Sequence, residues 1–183
     1  MKTLNLYIAV VALTVLSCGT SNKVTQAQID TLDQMVQNRH FRIESDWAYP
    51  LTTGALQRVL NSGLLPAGST ASAINLIGNS NFLTVSGDSI TSYLPYFGER
   101  QMQVEYGGKD SPIQFNGLME NYKAEKIKNN SYEITFKAKS KSESFDVYIT
   151  LSPSLRSQIV LNGNSRFPIR YSGNVKAVKK TAN

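Results

Sequence analysis

Ser89, in Gly87-Asp88-Ser89-Ile90, is the side chain whose setting most suggests a nucleophile. A serine becomes nucleophilic only with a base beside it. The chain holds one histidine, His40, which lies far upstream in sequence, and Ser89 falls in a tight turn rather than before a helix. One histidine and one cysteine leave little for a metal beyond carboxylates, and no Asp-x-Asp-x-Asp-Gly calcium pattern occurs. Glu99, Glu105 and Asp110 are scattered around an aromatic loop. As an acid pair for glycoside chemistry they need a defined separation that spacing alone does not supply. Gly107-Gly108 reads as a turn, and phosphate loops and dinucleotide fingerprints are absent. We therefore assign no catalytic residue, no metal site and no cofactor; a carboxylate-dependent hydrolase is the enzymatic alternative. What remains is binding chemistry. Tyr93, Tyr96, Phe97, Tyr106 and Phe115 crowd the stretch Ile90 to Gly117, interleaved with Gly98, Gly107-Gly108 and Pro112. They are the candidate rim for a hydrophobic or amphipathic small molecule.

The single cysteine has another use. Lys2 opens a basic start, Leu4 to Leu16 is an almost wholly apolar run, and Ser17-Cys18-Gly19 supplies small residues after it. That is the pattern of a secretory signal, with a run too short to span a bilayer comfortably. Val15-Leu16-Ser17-Cys18 resembles a bacterial lipobox, which implies lipidation of Cys18 and a mature chain beginning there. Residues 1–17 then form a lipoprotein signal peptide and residues 18–24 a lipidated tether. With Cys18 used, disulfides and thiol chemistry are excluded. The tether lacks an acidic run after the cysteine, which favours a periplasm-facing outer-membrane lipoprotein over one at the cell surface. The formal charge is +6; without Lys2, 18 basic side chains face 13 acidic ones, or about +5. Those lysines are spread over alternating strands, which reads as a solvated surface, not a nucleic-acid site. The expected partners are the membrane through the lipid, a small amphipathic molecule, or another envelope protein.

Residues 25–38 read as a helix: Thr25 can cap it, and Ile29, Leu32, Met35 and Val36 form one apolar stripe. Residues 39–176 read as a single β domain, and 177–183 as a frayed C-terminus. Strands are expected at Phe41–Trp47, ended by Pro50, at Ala73–Ile77, and at Phe82–Ser86 with Ser89–Leu94 around a Gly87-Asp88 turn. Further strands are expected at Gln101–Tyr106, Ile113–Phe115, Asn121–Ile127, Tyr132–Ala138, Phe145–Leu151, Gln158–Leu161 and Phe167–Tyr171. Asn129-Asn130 and Asn162-Gly163 read as hairpin turns. Tyr132, Ile134, Phe136 and Ala138 share one face, as do Phe145, Val147, Ile149 and Leu151. Phe167, Ile169 and Tyr171 continue the pattern, with Arg166 and Arg170 on the other side. One dry and one wet face predict an antiparallel sheet around a core. Hairpin-connected neighbours favour a meander curling into a barrel over a sandwich. Leu51 to Asn81 is a candidate lid, insertion or plug.

Several short motifs resemble known ones. Gly87-Asp88-Ser89-Ile90 resembles the nucleophile block of the Gly-Asp-Ser-Leu esterases, but that family's histidine lies near the C-terminus and His40 does not. Asp30-Thr31-Leu32 and Asp88-Ser89-Ile90 resemble the acceptor for O-glycosylation in Bacteroidota secreted proteins, making Thr31 and Ser89 candidate modification sites. Over roughly Phe41 to Gly173 the chain resembles the Bacteroidota lipoprotein family catalogued as domain of unknown function 4251. The motifs are Val85-x-Gly87-Asp88, Leu94-Pro95-Tyr96-Phe97-Gly98, Gly107-Gly108, Ile113-x-Phe115-x-Gly117, Arg166 and Tyr171-x-Gly173. The resemblance implies a mainly β, lipocalin-like barrel and a lipid anchor. It implies no activity and carries over no functional residue. By itself, Pro95 stops a strand and Gly98 eases the backbone, so Tyr96 and Phe97 turn inward as a corner plug or over an opening.

Overall fold

The computed structural model describes residues 24–54, 57–58, 66–99, 112–141 and 143–178. Helix α1 spans Gln26–Gln37. Thr25 caps it reciprocally with Gln28: the Gln28 amide donates to the Thr25 hydroxyl at 3.3 Å, and the Thr25 amide donates to the Gln28 side chain at 2.9 Å. Its apolar stripe is buried at Leu32, Met35 and Val36. Asp33 ties the helix to the sheet, accepting from Lys126 at 2.8 Å and from the Tyr132 hydroxyl at 2.9 Å.

Among the described residues ten strands follow: β1 (His40–Pro50), β2 (Ile74–Asn75), β3 (Phe82–Ser86), β4 (Ser89–Tyr93), β5 (Asn116–Leu118), β6 (Glu120–Lys126), β7 (Tyr132–Ser140), β8 (Glu143–Leu151), β9 (Arg156–Gly163) and β10 (Ile169–Ala177). They form one antiparallel sheet in the order β5-β4-β3-β1-β10-β9-β8-β7-β6, with β2 also on β1. The first and last long strands pair along most of their length, from Phe41 opposite Ala177 to Pro50 opposite Ile169. The sheet is a meander that returns to its start, nearly closed into a barrel.

Two interruptions hide a simpler plan. β2 and β3 both run along β1, separated by an excursion at residues 76–81. β5 pairs with β4 and β6 pairs with β7, with only Met119 between them. Each pair is one interrupted run, so ten strands reduce, less two, to eight. An eight-stranded barrel has an interior just wide enough for side chains to fill, or for one small ligand. The seam between the two sheet edges lies in the second run. There the Gln114 amide donates to the Ser140 hydroxyl at 3.2 Å, and Phe115 meets Phe145 edge-on with centroids 5.6 Å apart.

Asn81 mends the first interruption. Its side-chain oxygen accepts from the Ser45 amide at 2.8 Å, and its side-chain nitrogen donates to the Ser45 carbonyl at 2.9 Å. A buried amide thus takes the place of a missing ladder residue, which meets the requirement that buried backbone groups be paired. On the other side of β1 the register shifts between Ser45 and Trp47. This bulge brings the Glu44 carbonyl against Gly173, where any Cβ would collide with that backbone.

Several boundaries differ from those read in the sequence. Asn162 and Gly163 are not a hairpin turn: they pair with Asp146 and Phe145 in β9. A Cβ at Gly163 would stand 2.7 Å from the Phe145 ring, so this glycine serves packing, and the chain reverses after it. Arg166 is not on the wet side; it is 4% exposed. Ile113 makes an isolated bridge to Leu94, and the regular strand begins only at Asn116. β10 runs to Ala177, beyond the expected end, because β1 continues to pair with it. Asn129-Asn130 does turn the β6–β7 hairpin, with φ of 58° and 53°. The expected strand Gln101–Tyr106 lies outside the described residues.

Two outcomes test this account. Asn81→Ala leaves both Ser45 backbone groups unpaired and is expected to cost roughly 2–4 kcal/mol in chemical denaturation, while Asn79→Ala, exposed and nearby, stays within about 0.5 kcal/mol. The hydrogen bond from Lys126 holds the Asp33 carboxyl below its ordinary value near 3.8, helped by the Tyr132 hydroxyl and opposed by burial. A carboxyl depressed by folding contributes stability above its unfolded pKa and loses it as pH falls through the folded one. Asp33→Asn should therefore narrow the gap between melting temperatures measured near neutrality and below the ordinary carboxylate range; an unchanged gap refutes the role.

Candidate functional site

The aromatic segment folds into a corner at the barrel end opposite α1. β4 gives out at Tyr93, Leu94 bridges to Ile113, and Pro95 ends the ladder. The Pro95 carbonyl accepts from the Tyr171 hydroxyl at 2.8 Å. Tyr96 turns inward and is 4% exposed; its hydroxyl lies 2.8 Å from the Glu99 carbonyl and 3.0 Å from that of Phe167, so one proton serves two acceptors. Gly98 passes so close to that hydroxyl that no Cβ would fit. The Arg166 guanidinium lies over the Tyr96 ring, 4.9 Å from its centroid. It also donates from Nε and Nη2 to Glu143 at 2.8 Å each. Burial, reinforced by neighbouring Tyr96, drives the Tyr171 phenol far above its ordinary range, so it stays a neutral donor.

The corner therefore consists of Pro95, Tyr96, Gly98, Glu143, Arg166 and Tyr171, drawn from the β4 exit, the start of β8 and both sides of the β9–β10 link. Arg166 is the member that sequence reading put on the wrong face. An arginine beside a strand reads as solvent-facing unless its carboxylate is known, and Glu143 is distant in sequence. The arrangement fixes the end of the barrel; every polar group in it is turned toward another part of the chain.

The four candidate rim residues that are described do not converge on one opening. Tyr93 is 42% exposed on the outer face, opposite Phe82. Tyr96 is in the corner, Phe97 packs partly buried against the core, and Phe115 is buried at the seam. Tyr106, Glu105, Asp110 and Cys18 lie outside the described residues. The Glu99 carboxylate accepts from the Thr53 hydroxyl. His40 sits 3.3 Å through Nδ1 from the Ser86 hydroxyl, not beside Ser89. Ser89 is exposed beside the Gly87-Asp88 turn, where Asp88 pairs with Arg39. Thr31 is exposed on α1, and its hydroxyl donates to the Ala27 carbonyl at 2.7 Å. Among the described residues, no group of three or more His, Cys, Asp or Glu could hold a metal, and no helix is long and apolar enough to cross a membrane.

Arg166→Met leaves Glu143, whose side chain is 14% exposed, without its counter-charge. Chemical denaturation should show a loss of roughly 3 kcal/mol, with much of it recovered when Glu143→Met is added, because an apolar pair removes the uncompensated charge.

No curated protein matches the chain. The crystal structure of a DUF4251 family protein from Bacteroides eggerthii is similar in fold, with a TM-score of 0.55 at 14% identity, covering 82% of this chain and 88% of that one. A family model described as Domain of unknown function (DUF4251) matches residues 23–175. That span takes in the Leu94–Gly98 corner, Arg166 and the Tyr171-x-Gly173 ending, and the chain belongs to this family.

Proposed function

We propose that the protein is an envelope lipoprotein that works by non-catalytic binding through its outer surface, with the barrel serving as a filled, rigid scaffold. The observation that carries this reading is the interior. Ile43, Leu83, Ile90, Ile134, Val147, Ile149, Ile159 and Tyr171, from strands all around the barrel, are each no more than 1% exposed. Helix α1 covers one end and the Tyr96–Arg166 corner occupies the other. Of the two ways to use an eight-stranded interior, packing it with side chains fits better than holding a ligand.

The anchor sets the distance to the membrane. From Cys18 to Val24 is six residues, which reach at most ~20 Å when extended. Lipidation at Cys18 therefore keeps the start of α1 within that distance of the bilayer. Acyl chains on one cysteine give stable tethering, where a single chain would give only reversible contact.

Native mass spectrometry of the full mature chain, extracted gently from its own envelope, tests the reading. The expected spectrum carries the acyl mass on Cys18 and no further small molecule that leaves on denaturation. A reproducible, releasable lipid would instead make the protein a carrier. Cys18→Ser should move the protein from the membrane fraction to the soluble fraction.

A further inference from the structure

The outer face of β1, β10, β9 and β8 holds a groove of about 380 Å³ lined by Tyr49, Thr150, Arg156, Gln158, Arg170 and Ser172, among others. Register arranges the outward side chains of this face in two rows. Thr150, Gln158 and Ser172 lie directly opposite one another across three strands. Tyr148, Val160, Arg170 and Tyr49 form the next row across four. Three strand spacings put Tyr148 ~14 Å from Tyr49.

Arg170 is the unusual member. Arg39, Arg42, Arg156 and Arg166 each pair with a carboxylate. Among the described residues Arg170 has no such partner, although it sits on the same barrel. Its guanidinium instead lies over the Tyr49 ring, 4.4 Å from the centroid. Tyr49 is pinned in turn, its hydroxyl 3.2 Å from the Ser172 hydroxyl. A stacked guanidinium keeps its N–H fork pre-oriented and loses little freedom on meeting an anion. Around it stand two hydroxyls and an amide, and Tyr148 is 43% exposed at the side of the groove.

The surroundings narrow the ligand. A divalent cation is disfavoured, because Asp46, the carboxylate at this edge, is already held by Arg156 and Asn174 at 3.4 and 3.1 Å. A lipid chain would find Val160 as the only aliphatic side chain in the two rows. A nucleic-acid backbone needs a stripe of cations, whereas Lys137 and Lys176 on this side are bridged to Asp146 and Glu44. One unpaired guanidinium, a row of hydroxyl and amide groups and an exposed aromatic ring match a sugar bearing a carboxylate. We propose that this groove binds a carboxylated sugar unit of an extended glycan. Arg170 takes the carboxylate through its fork, Thr150, Gln158 and Ser172 take ring hydroxyls, and the Tyr148 ring lies against a neighbouring sugar. This assignment rests on the reading of the protein as an outer-surface binder.

Calorimetric titration of the mature lipoprotein in detergent with galacturonic-acid oligomers, and with neutral glucose oligomers of equal length, tests it. Saturable binding of the charged oligomers alone is expected, weakening as salt is raised. Arg170→Ala should lower affinity about tenfold or more, Arg170→Lys less, and Gln158→Ala a few fold, all with an unchanged circular dichroism spectrum. Equal binding of the neutral oligomers, indifference to Arg170→Ala in a folded protein, or no binding of either oligomer would each overturn the assignment. The last result, alongside a mass spectrum free of lipid, would leave the filled scaffold standing; a co-purified lipid would remove the scaffold reading itself.

Discussion

Everything in this fold depends on the pairing of β1 with β10. The other ladders join neighbours in sequence or bridge a modest excursion, and each could form as a local hairpin. β1–β10 joins Phe41 to Ala177 and turns a curled meander into a barrel. The interface is not uniform. A bulge at Ser45–Trp47 bends β1, and the bend is possible because Gly173 presents no Cβ to the Glu44 carbonyl. Bulges sharpen local twist and coiling, which a sheet of eight runs needs in order to meet its own first strand. Asn81 holds the same point of β1 from the other side. A glycine on one flank and a buried amide on the other thus set the place where the chain closes on itself. Closing a loop of this length before it gains contacts makes such pairing a late and slow event in folding.

Closure determines what the interior can do. Once eight runs are joined, the inward side chains are committed to one another, and the ends are what remain. α1 covers one, docked by its buried stripe and by Asp33. The corner around Tyr96 takes the other, and there the interior turns polar in a controlled way. Arg166 has Glu143 and the Tyr96 ring, Tyr96 has two carbonyls, and Tyr171 has the Pro95 carbonyl. A buried charge with excellent geometry does little for net stability compared with an apolar substitute, but it punishes every alternative arrangement that leaves one partner alone. The corner specifies which strands meet.

Much of this was legible in the sequence. Strict alternation in Tyr132–Ala138 and Phe145–Leu151 marks the inward face because a half-buried strand permits no other pattern. The N-cap at Thr25 and the double asparagine at 129–130 fix a helix start and a turn through local chemistry alone, and the structure adds Gln28 to the cap. The failures have one physical source: roles set by a distant partner. Gly163 reads as a turn residue unless Phe145 is known to lie over it, and Arg166 reads as wet unless Glu143 is known to reach it. Leu51 to Asn81 reads as one long irregular stretch holding a strand at Ala73–Ile77, and nothing in it tells that Asn81 returns to complete β1. The outward rows were overlooked for a related reason. Tyr49, Gln158 and Arg170 are unremarkable singly, and only register brings them to one groove.

The residues that carry the sequence resemblance are explained by the same distinction. Leu94–Gly98, Arg166 and Tyr171-x-Gly173 are far apart in sequence, yet Tyr96, Arg166 and Tyr171 meet in one corner, and Gly173 lies two residues beyond Tyr171 at the closing ladder. Residues that must satisfy one another's hydrogen bonds in a confined volume constrain one another's identity, because losing one leaves its buried partners unpaired. Side chains on the outer rows are more exposed and share fewer contacts, those of Tyr49 with Ser172 and Arg170 among them. A motif of this kind therefore identifies how the barrel is shut.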